Sequence, residues 1–363
     1  MKLSVNLVVH NGERYIPFLF DALKRQTFND WEMIIIDNAS DDNTAAVFER
    51  ELAGSGIKHR LLRNPENFGF AVGHNQAFRV SETPYVLMLN VDMYLSPDVL
   101  EKSVAFLDSH EQTAAVTPRL MRWDFERTLA ARDAGSEIIE AAKAGFTSRV
   151  DAIGIRLFRN RRAIEWLAQQ EWTADNPNPE VVKIFNKPAW EIFGVSGALP
   201  MYRKNMLEKI LLPGENVFDP TYHSYKEDLD LAYRLRNAGY ISCVLLDTVA
   251  YHDRTAAAPK ETGDWAAIKN KKRQSRFVRF HSYKNHIRTL WKNEYWQNFL
   301  LDFPWIFWLE LKKFIFILCT SPSIIFSGWW EIFKQRKYTR AAARTIRQTR
   351  RMYWRGIRRW FIF

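Results

Sequence analysis

The sequence predicts an α/β fold: a mostly parallel central sheet with helices on both faces. Three observations lead there. Strand-like and helix-like segments alternate through the first half of the chain, no internal repeat interrupts them, and carboxylates stand where apolar runs end.

LSVNLVV (3–9) is rich in β-formers, ERYIPFLFDALKRQ (13–26) has apolar residues at helical spacing, and WEMIIID (31–37) is again a strand. Ser40, Asp41 and Asp42 can cap a helix over TAAVFEREL (44–52). IKHRLLR (57–63) predicts a third strand and AVGHNQAFRVS (71–81) a helix. YVLMLNVDMYL (85–95) then reads as a buried strand that carries Asp92 where it runs out, before a Ser-Pro helix start at SPDVLEKSVAFL (96–107). Burying an unpaired charge is costly, so Asp92 must reach solvent or hold a cation. In sheets of this order ligands bind outside the carboxyl ends of strands, where Asp37 and Asp92 both lie.

Between about 121 and 190 the pattern loosens. RDAGSEIIEAAKAG (132–145) and RLFRNRRAIEWLAQQ (156–170) read as helices and DNPNPE (175–180) as a turn. EIFGVSGALPMY (191–202) predicts a strand, KEDLDLAYRLRNAGY (226–240) a helix ending on a glycine cap, and ISCVLLDTVAYH (241–252) a final strand.

The division expected is a catalytic unit over 1–262, a helical linker over 263–293 and an aromatic, basic helical region over 294–363. The net charge of +11 belongs to the tail: residues 334–363 carry eleven Lys and Arg and no Asp or Glu, leaving residues 1–333 formally neutral. The longest uncharged stretch, 314–330, has 17 residues and is broken by Ser-Pro. A spanning helix needs about 20 apolar residues. The expectation is therefore helices lying in a membrane interface, Trp at headgroup level and the basic tail against anionic lipid. Cys243 and Cys319 are far apart and lack CxxC or His-rich company, which argues against a disulfide framework or zinc site and fits a cytoplasmic setting. The N-terminus runs straight into strand pattern, with an apolar stretch too short for a signal-peptide core.

Four points carry chemistry: Asp37, Asp92, the Glu227-Asp228 pair opening a helix, and His252 after the last strand. Each alone has an ordinary explanation as a cap, a turn residue or a structural histidine. Converging on one rim, they would offer oxygen and imidazole ligands for Mg²⁺ or Mn²⁺, with coordination positions left for diphosphate oxygens, and an unligated carboxylate to take a proton from an attacking hydroxyl. No Walker motif and no GxGxxG is present, which disfavours a P-loop kinase or dinucleotide oxidoreductase.

VVHNGERYI, IIIDNASDDNT, NPENFGFAVGHNQAF, LMLNVDMYLSPDVL, FGVSGALPMYRKNML, FDPTYHSYKEDLDLAYRLRNAGY and VAYHDR, in that order, resemble the motifs of family 2 inverting glycosyltransferases, especially the rhamnosyltransferase-like branch. The resemblance spans roughly residues 3–293 and takes in RLFRNRR and YKNHIRTLWKN. It implies the A-type glycosyltransferase fold. It further implies that His10 and Asn11 border the nucleobase, that Asp37 accepts a hydrogen bond from the base imide, and that Asn67, Gly69 and Asn75 shape the loop and helix start beside the nucleotide. Asn90-Val91-Asp92 falls where the family has its DxD motif, with Asp92 on the metal and Asn90 in place of the first Asp. Ser196 and Gly197 would line the sugar or acceptor side, Asp228 would be the general base with Glu227 beside it, and His252 a second metal ligand. Asp230 is expected to point away from the site or to hold Arg234 as an i,i+4 pair.

The function expected is transfer of a sugar, rhamnose by resemblance, from a dTDP or UDP donor to a glycan or lipid-linked acceptor in cell-surface polysaccharide synthesis, at the inner face of the cytoplasmic membrane. A nucleotidyltransferase is disfavoured because VVHNGERY lacks a Gly-rich, Lys- or Arg-bearing loop. The contrasting reading is a basic scaffold without transfer activity, whose RTIRQTRRMYWRGIRRW segment binds a membrane or, less favoured, nucleic acid.

Overall fold

The computed structural model describes residues 1–254 and 274–363. The expected helical character of residues 264–273 and the boundary at 262 lie outside the described residues.

The first half follows the sequence closely. β1 (Leu3–Val9), α1 (Ile16–Lys24), β2 (Trp31–Asp37), α2 (Thr44–Leu52), β3 (His59–Arg63), α3 (Gly69–Val80), β4 (Tyr85–Leu89), β5 (Met93–Leu95) and α4 (Val99–Ser109) alternate as expected. β1, β2, β3 and β4 pair in parallel, in the order β4-β1-β2-β3. The period-two pattern of a strand sends Met33 and Ile35 into the core that contains α1, while Ile34 and Ile36 pack with Ala77 of α3 on the opposite face. This two-sided burial is why the strands read as unbroken apolar runs. The cap of α2 falls on Asn43 without a side-chain bond, while Asp42 accepts the Thr44 N–H at 3.0 Å.

The second half mixes directions. β6 (Thr113–Trp123), α5 (Phe125–Asp133), α6 (Ile138–Ala144), β7 (Phe146–Ala152), β8 (Ile155–Phe158), β9 (Ala163–Glu165), α7 (Pro179–Phe185), β10 (Ala189–Ile192), β11 (Met201–Arg203), α8 (Lys204–Glu208), α9 (Glu227–Asn237) and β12 (Ile241–His252) follow. β11 inserts antiparallel between β4 and β6, β12 runs parallel to β6, and β5, β7 and β10 add antiparallel pairs. The sheet is therefore mixed, not mostly parallel: only its β1–β4 half obeys the βαβ pattern.

A second correction concerns RLFRNRRAIEWLAQQ, which forms the β8–β9 antiparallel pair instead of a helix. Arg161 in its turn has φ +65°, and that left-handed conformation ends any helical repeat. EIFGVSGALPMY likewise divides between the end of β10 and the start of β11, with 193–200 as the connection.

The C-terminal region comprises α10 (Arg276–Asn293), α11 (Trp296–Thr320), α12 (Pro322–Lys334), α13 (Arg336–Thr349), α14 (Trp354–Arg358) and β13 (Phe361–Ile362). Among the described residues no helix is long and apolar enough to cross a membrane. The region is bound to the α/β unit: β13 pairs in parallel with β8, and Asp302 takes both terminal Arg358 nitrogens at 2.9 Å and Arg161 at 3.0 Å. Yet α11 and α12 leave large apolar side chains in the open, among them Trp296 (69% exposed), Trp308 (59%), Phe326 (73%) and Trp330 (60%).

Candidate functional site

The rim is built where β1, β2, β4 and β12 end. Asp92 follows β4, and the antiparallel pairing of β5 with β12 sets His252 opposite Met93. His252 Nε2 consequently lies 3.4 Å from Asp92 Oδ2. The other ring nitrogen, Nδ1, is 2.8 Å from Asp151 Oδ2 at the end of β7. Asp151 is nearly inaccessible. Burial alone would raise its pKa, but the His252 hydrogen bond, Arg254 and Arg122 hold it down at about 2. It is therefore an ionised acceptor for Nδ1–H, which leaves Nε2 as the nitrogen that faces Asp92.

That geometry fits a metal. A carboxylate holding the far imidazole nitrogen is the usual support of a histidine ligand, and Asp92 supplies a hard oxygen beside it. Burial would lower the His252 pKa, yet Asp92 and Asp151 raise it to about 9, a measure of how strongly this spot favours positive charge. Among the described residues no group of three or more His, Cys, Asp or Glu is placed to hold a metal ion, so Asp92 and His252 form at most a two-donor set. The neighbouring Asp253 accepts from the Tyr15 hydroxyl at 2.7 Å, and its N–H donates to the Asp92 carbonyl at 3.1 Å.

A chain of charges runs on from Asp151. Arg254 Nε lies 3.4 Å from Asp151, and its NH2 donates to Glu165 Oε1 at 3.0 Å and to Ser196 Oγ at 3.2 Å. The Ser196 hydroxyl is turned to Glu165 at 3.2 Å and enclosed, so the residue expected to line the sugar side supports that wall instead of facing into it. Gly197 lies beside Asp228: a β-carbon there would sit in ordinary contact, 3.5 Å from Asp228 Cβ and 3.8 Å from Phe70.

Glu227 and Asp228 open α9. Glu227 is buried, and its pKa is raised by burial and by the Asp228 charge, so it favours the neutral acid at neutral pH. Asp228 remains partly accessible, with Oδ1 accepting the Leu229 N–H at 2.7 Å. Asp230 holds Arg234 at 3.2 Å, as the i,i+4 spacing implied, and both are fully buried.

The residues expected around the nucleotide divide. Asp37, at the end of β2, is buried and accepts the Ser40 N–H at 3.0 Å. His10 and Asn11 are exposed at the end of β1. His10 Nδ1 is 3.1 Å from the Asn38 carbonyl, and the Asn11 side chain grips Asp41 through both its atoms. Asn67 Oδ1 accepts the Gly69 N–H, and Gly69 adopts φ +82° beneath His223, where a β-carbon would come within 2.5 Å of that ring. Asn90 donates its N–H to the Ala198 carbonyl, joining the Asp92 turn to the Ser196-Gly197 segment. Asn75 is buried, and its amide bonds both ways to the Phe218 backbone at 2.9 Å, so it fastens the 218 segment to α3.

Asp151, Glu165 and Tyr15 escaped the sequence reading. Asp151 and Glu165 lie in the loosened region, and only the strand pairing brings them to the rim.

The family profile for Glycosyl transferase family 2 matches residues 4–211, more than half of the chain. The chain belongs to glycosyl transferase family 2. It is 28% identical over 123 residues to EpsE of Bacillus subtilis, covering 34% of this chain and 44% of EpsE. It is also 30% identical over 112 residues to the poly(ribitol-phosphate) beta-N-acetylglucosaminyltransferase TarS of Staphylococcus aureus, covering 30% of this chain and 19% of TarS. The matches thus span less than half of these relatives' lengths. Among solved structures, GalNAc-T7 with UDP, GalNAc and Mn²⁺ superposes with a TM-score of 0.55 at 12% identity, covering 81% of this chain and 48% of that one. The Pyrobaculum calidifontis mannosyltransferase PcManGT with GDP-Man and Mn²⁺ gives 0.50 at 16%, covering 96% and 85%. These likenesses show the fold, the A-type glycosyltransferase arrangement with a mixed sheet.

Proposed function

We propose that this family 2 glycosyltransferase moves a sugar from a nucleoside-diphosphate donor to a hydroxyl of a glycan or lipid-linked acceptor in cell-surface polysaccharide synthesis, with inversion at the anomeric carbon. The observation that carries this reading is the Asp92–His252–Asp151 arrangement, linked through Arg254 to Ser196, whose neighbour Gly197 lies beside Asp228. Asp92 and His252 would hold Mn²⁺ or Mg²⁺, which when bound supplies positive charge for the departing diphosphate. Asp151 fixes the tautomer of His252. Asp37, His10 and Asn11 take the base of a UDP or dTDP donor, and the loop at Asn67 and Gly69 shapes its surroundings.

Asp228 takes the proton of the attacking hydroxyl. Its effect rests on position: the side chain stands at the start of α9, partly accessible to an incoming hydroxyl. Neutral Glu227 adds no second charge beside it. Rhamnose is the sugar suggested by the sequence resemblance. TarS bears N-acetylglucosaminyltransferase in its name, which supports a uridine donor equally.

We place the enzyme on the cytoplasmic membrane face through α11 to α13. Exposed Trp and Phe adjoin the outward Lys334, Lys337, Arg340, Arg344 and Arg347, a combination suited to anionic lipid. Titration calorimetry with dTDP, UDP and GDP, each with and without Mn²⁺, tests the donor site: metal-dependent binding of one nucleotide is expected, and absence of binding by folded protein overturns it. Co-sedimentation with anionic but not neutral vesicles tests the surface. A salt-sensitive shift of nucleic acid without vesicle binding would favour the basic scaffold instead.

A further inference from the structure

The segment that delivers Glu227 and Asp228 is left-handed at three non-glycine residues: His223 (φ +64°), Tyr225 (φ +72°) and Lys226 (φ +72°). Each such residue costs of order 1 kcal/mol, and a run of them persists only where its surroundings hold it. The restraint comes from α10, which lies beyond the catalytic motifs in sequence. Asn285, fully buried on that helix, directs its Nδ2 at three carbonyls of the segment: Tyr222 at 3.0 Å, Ser224 at 3.0 Å and Tyr225 at 2.8 Å. His281 Nδ1 meets the same Tyr222 carbonyl at 3.0 Å, and Lys284 donates to the Thr221 carbonyl at 2.9 Å.

The amide orientation is dictated chemically, since the opposite one would set Oδ1 against three carbonyl oxygens. Asn285 Oδ1 has no partner, so the amide is placed for its donors alone. An apolar residue of that volume would support the packing but take the amide donor from the Ser224 and Tyr225 carbonyls of a strained turn.

We propose that Asn285 is a positioning residue for the transfer reaction: it clamps the left-handed segment 222–226 and thereby fixes where α9 begins and where Glu227 and Asp228 point. The assignment rests on the donor and acceptor reading above and adds to it a residue that touches neither substrate. A small misplacement of reacting groups can cost about 100-fold in rate. The signature is therefore a fall in kcat with donor binding retained, because Asp37 and Asp92 are held through Ser40, His252 and Asp253 and not through α10.

Asn285→Ala should lower kcat by about 100-fold while nucleotide affinity with Mn²⁺ changes less than about threefold. Adding Lys226→Gly, which makes a positive φ inexpensive at one of the strained positions, should restore kcat at least several-fold. A cavity effect would gain nothing from that glycine. Unchanged kcat, a parallel loss of nucleotide affinity, or no recovery with Lys226→Gly each overturns the clamp. Should Asn285→Ala not fold, Asn285→Asp keeps the volume and turns a carboxylate on the same carbonyls. It should lose kcat at least as far, and wild-type kcat in it overturns the proposal. Amide hydrogen exchange at residues 223–229 separates the two readings. If the wild type transfers no sugar, the transferase reading fails, while faster exchange there in Asn285→Ala still supports the clamp and unchanged exchange overturns it.

Discussion

Asp151 holds the proton on Nδ1 of His252, so that Nε2 is the nitrogen that can act as a ligand beside Asp92. Asp151→Asn should weaken metal-dependent nucleotide binding about 10- to 100-fold with the metal-free affinity unaltered. Mn²⁺ titration at fixed nucleotide reads this, and an unchanged metal requirement would remove His252 from the ligand set. Asp228→Asn makes the complementary prediction: nucleotide binding persists and transfer falls roughly 10²- to 10⁴-fold, the usual contribution of a general base. Full transfer by that variant would sink the base assignment. At this scale the sequence exposed Asp92, Asp228 and His252 because they end or begin elements. Asp151 could not be seen, since its significance lies in the β6–β7 and β6–β12 pairings that carry it to His252.

The elements were legible where one period ran long enough. β1, β2, α3, α9 and β12 emerge from apolar spacing and flanking caps. The β8–β9 pair did not, because RLFRNRRAIEWLAQQ places apolar residues at intervals that suit a short helix as well as a hairpin. Long-range partners settle the matter: β8 takes β13 on its free edge, and the Arg161 guanidinium, 3.9 Å from the Phe361 ring centre, meets Asp302 and Glu294. Asp302→Ala leaves Arg161 buried with less counter-charge and frees Arg358, so it should cost about 3 kcal/mol in denaturant unfolding. Breaking the exposed Lys143–Glu140 pair should cost under about 1 kcal/mol, and equal losses would argue against the buried cluster as a tie between the regions.

Over the whole molecule, the family fold was readable from the order of motifs, whereas the mixed sheet was not. Strand direction depends on β11 entering between β4 and β6, a choice that composition does not encode. The C-terminal region packs on the α/β unit along one side and leaves large apolar side chains open on the other. Its junction is ionic: Asp219 lies 2.7 Å from Lys292 and 3.2 Å from Arg288, all fully buried. Burial alone would raise the Asp219 pKa, but Lys292 and Arg288 bring it to about 2, below the usual 3.8. A lowered folded pKa means that its stabilisation is complete above about pH 4 and is lost as pH falls toward 2. Stability should drop through that window, and Asp219→Asn should flatten the drop. Circular dichroism across the acid range checks both.

The pairing of Phe361–Ile362 with Leu157–Phe158 joins residues about two hundred positions apart. Closing so long a loop returns nothing until the ends meet, and contacts of that kind form late in folding. The edge of the β8–β9 hairpin therefore stays bare until the last strand arrives, offering unpaired backbone groups to any other extended chain. The vulnerable interval for aggregation in this chain is the time between completing the central sheet and seating a strand of two residues.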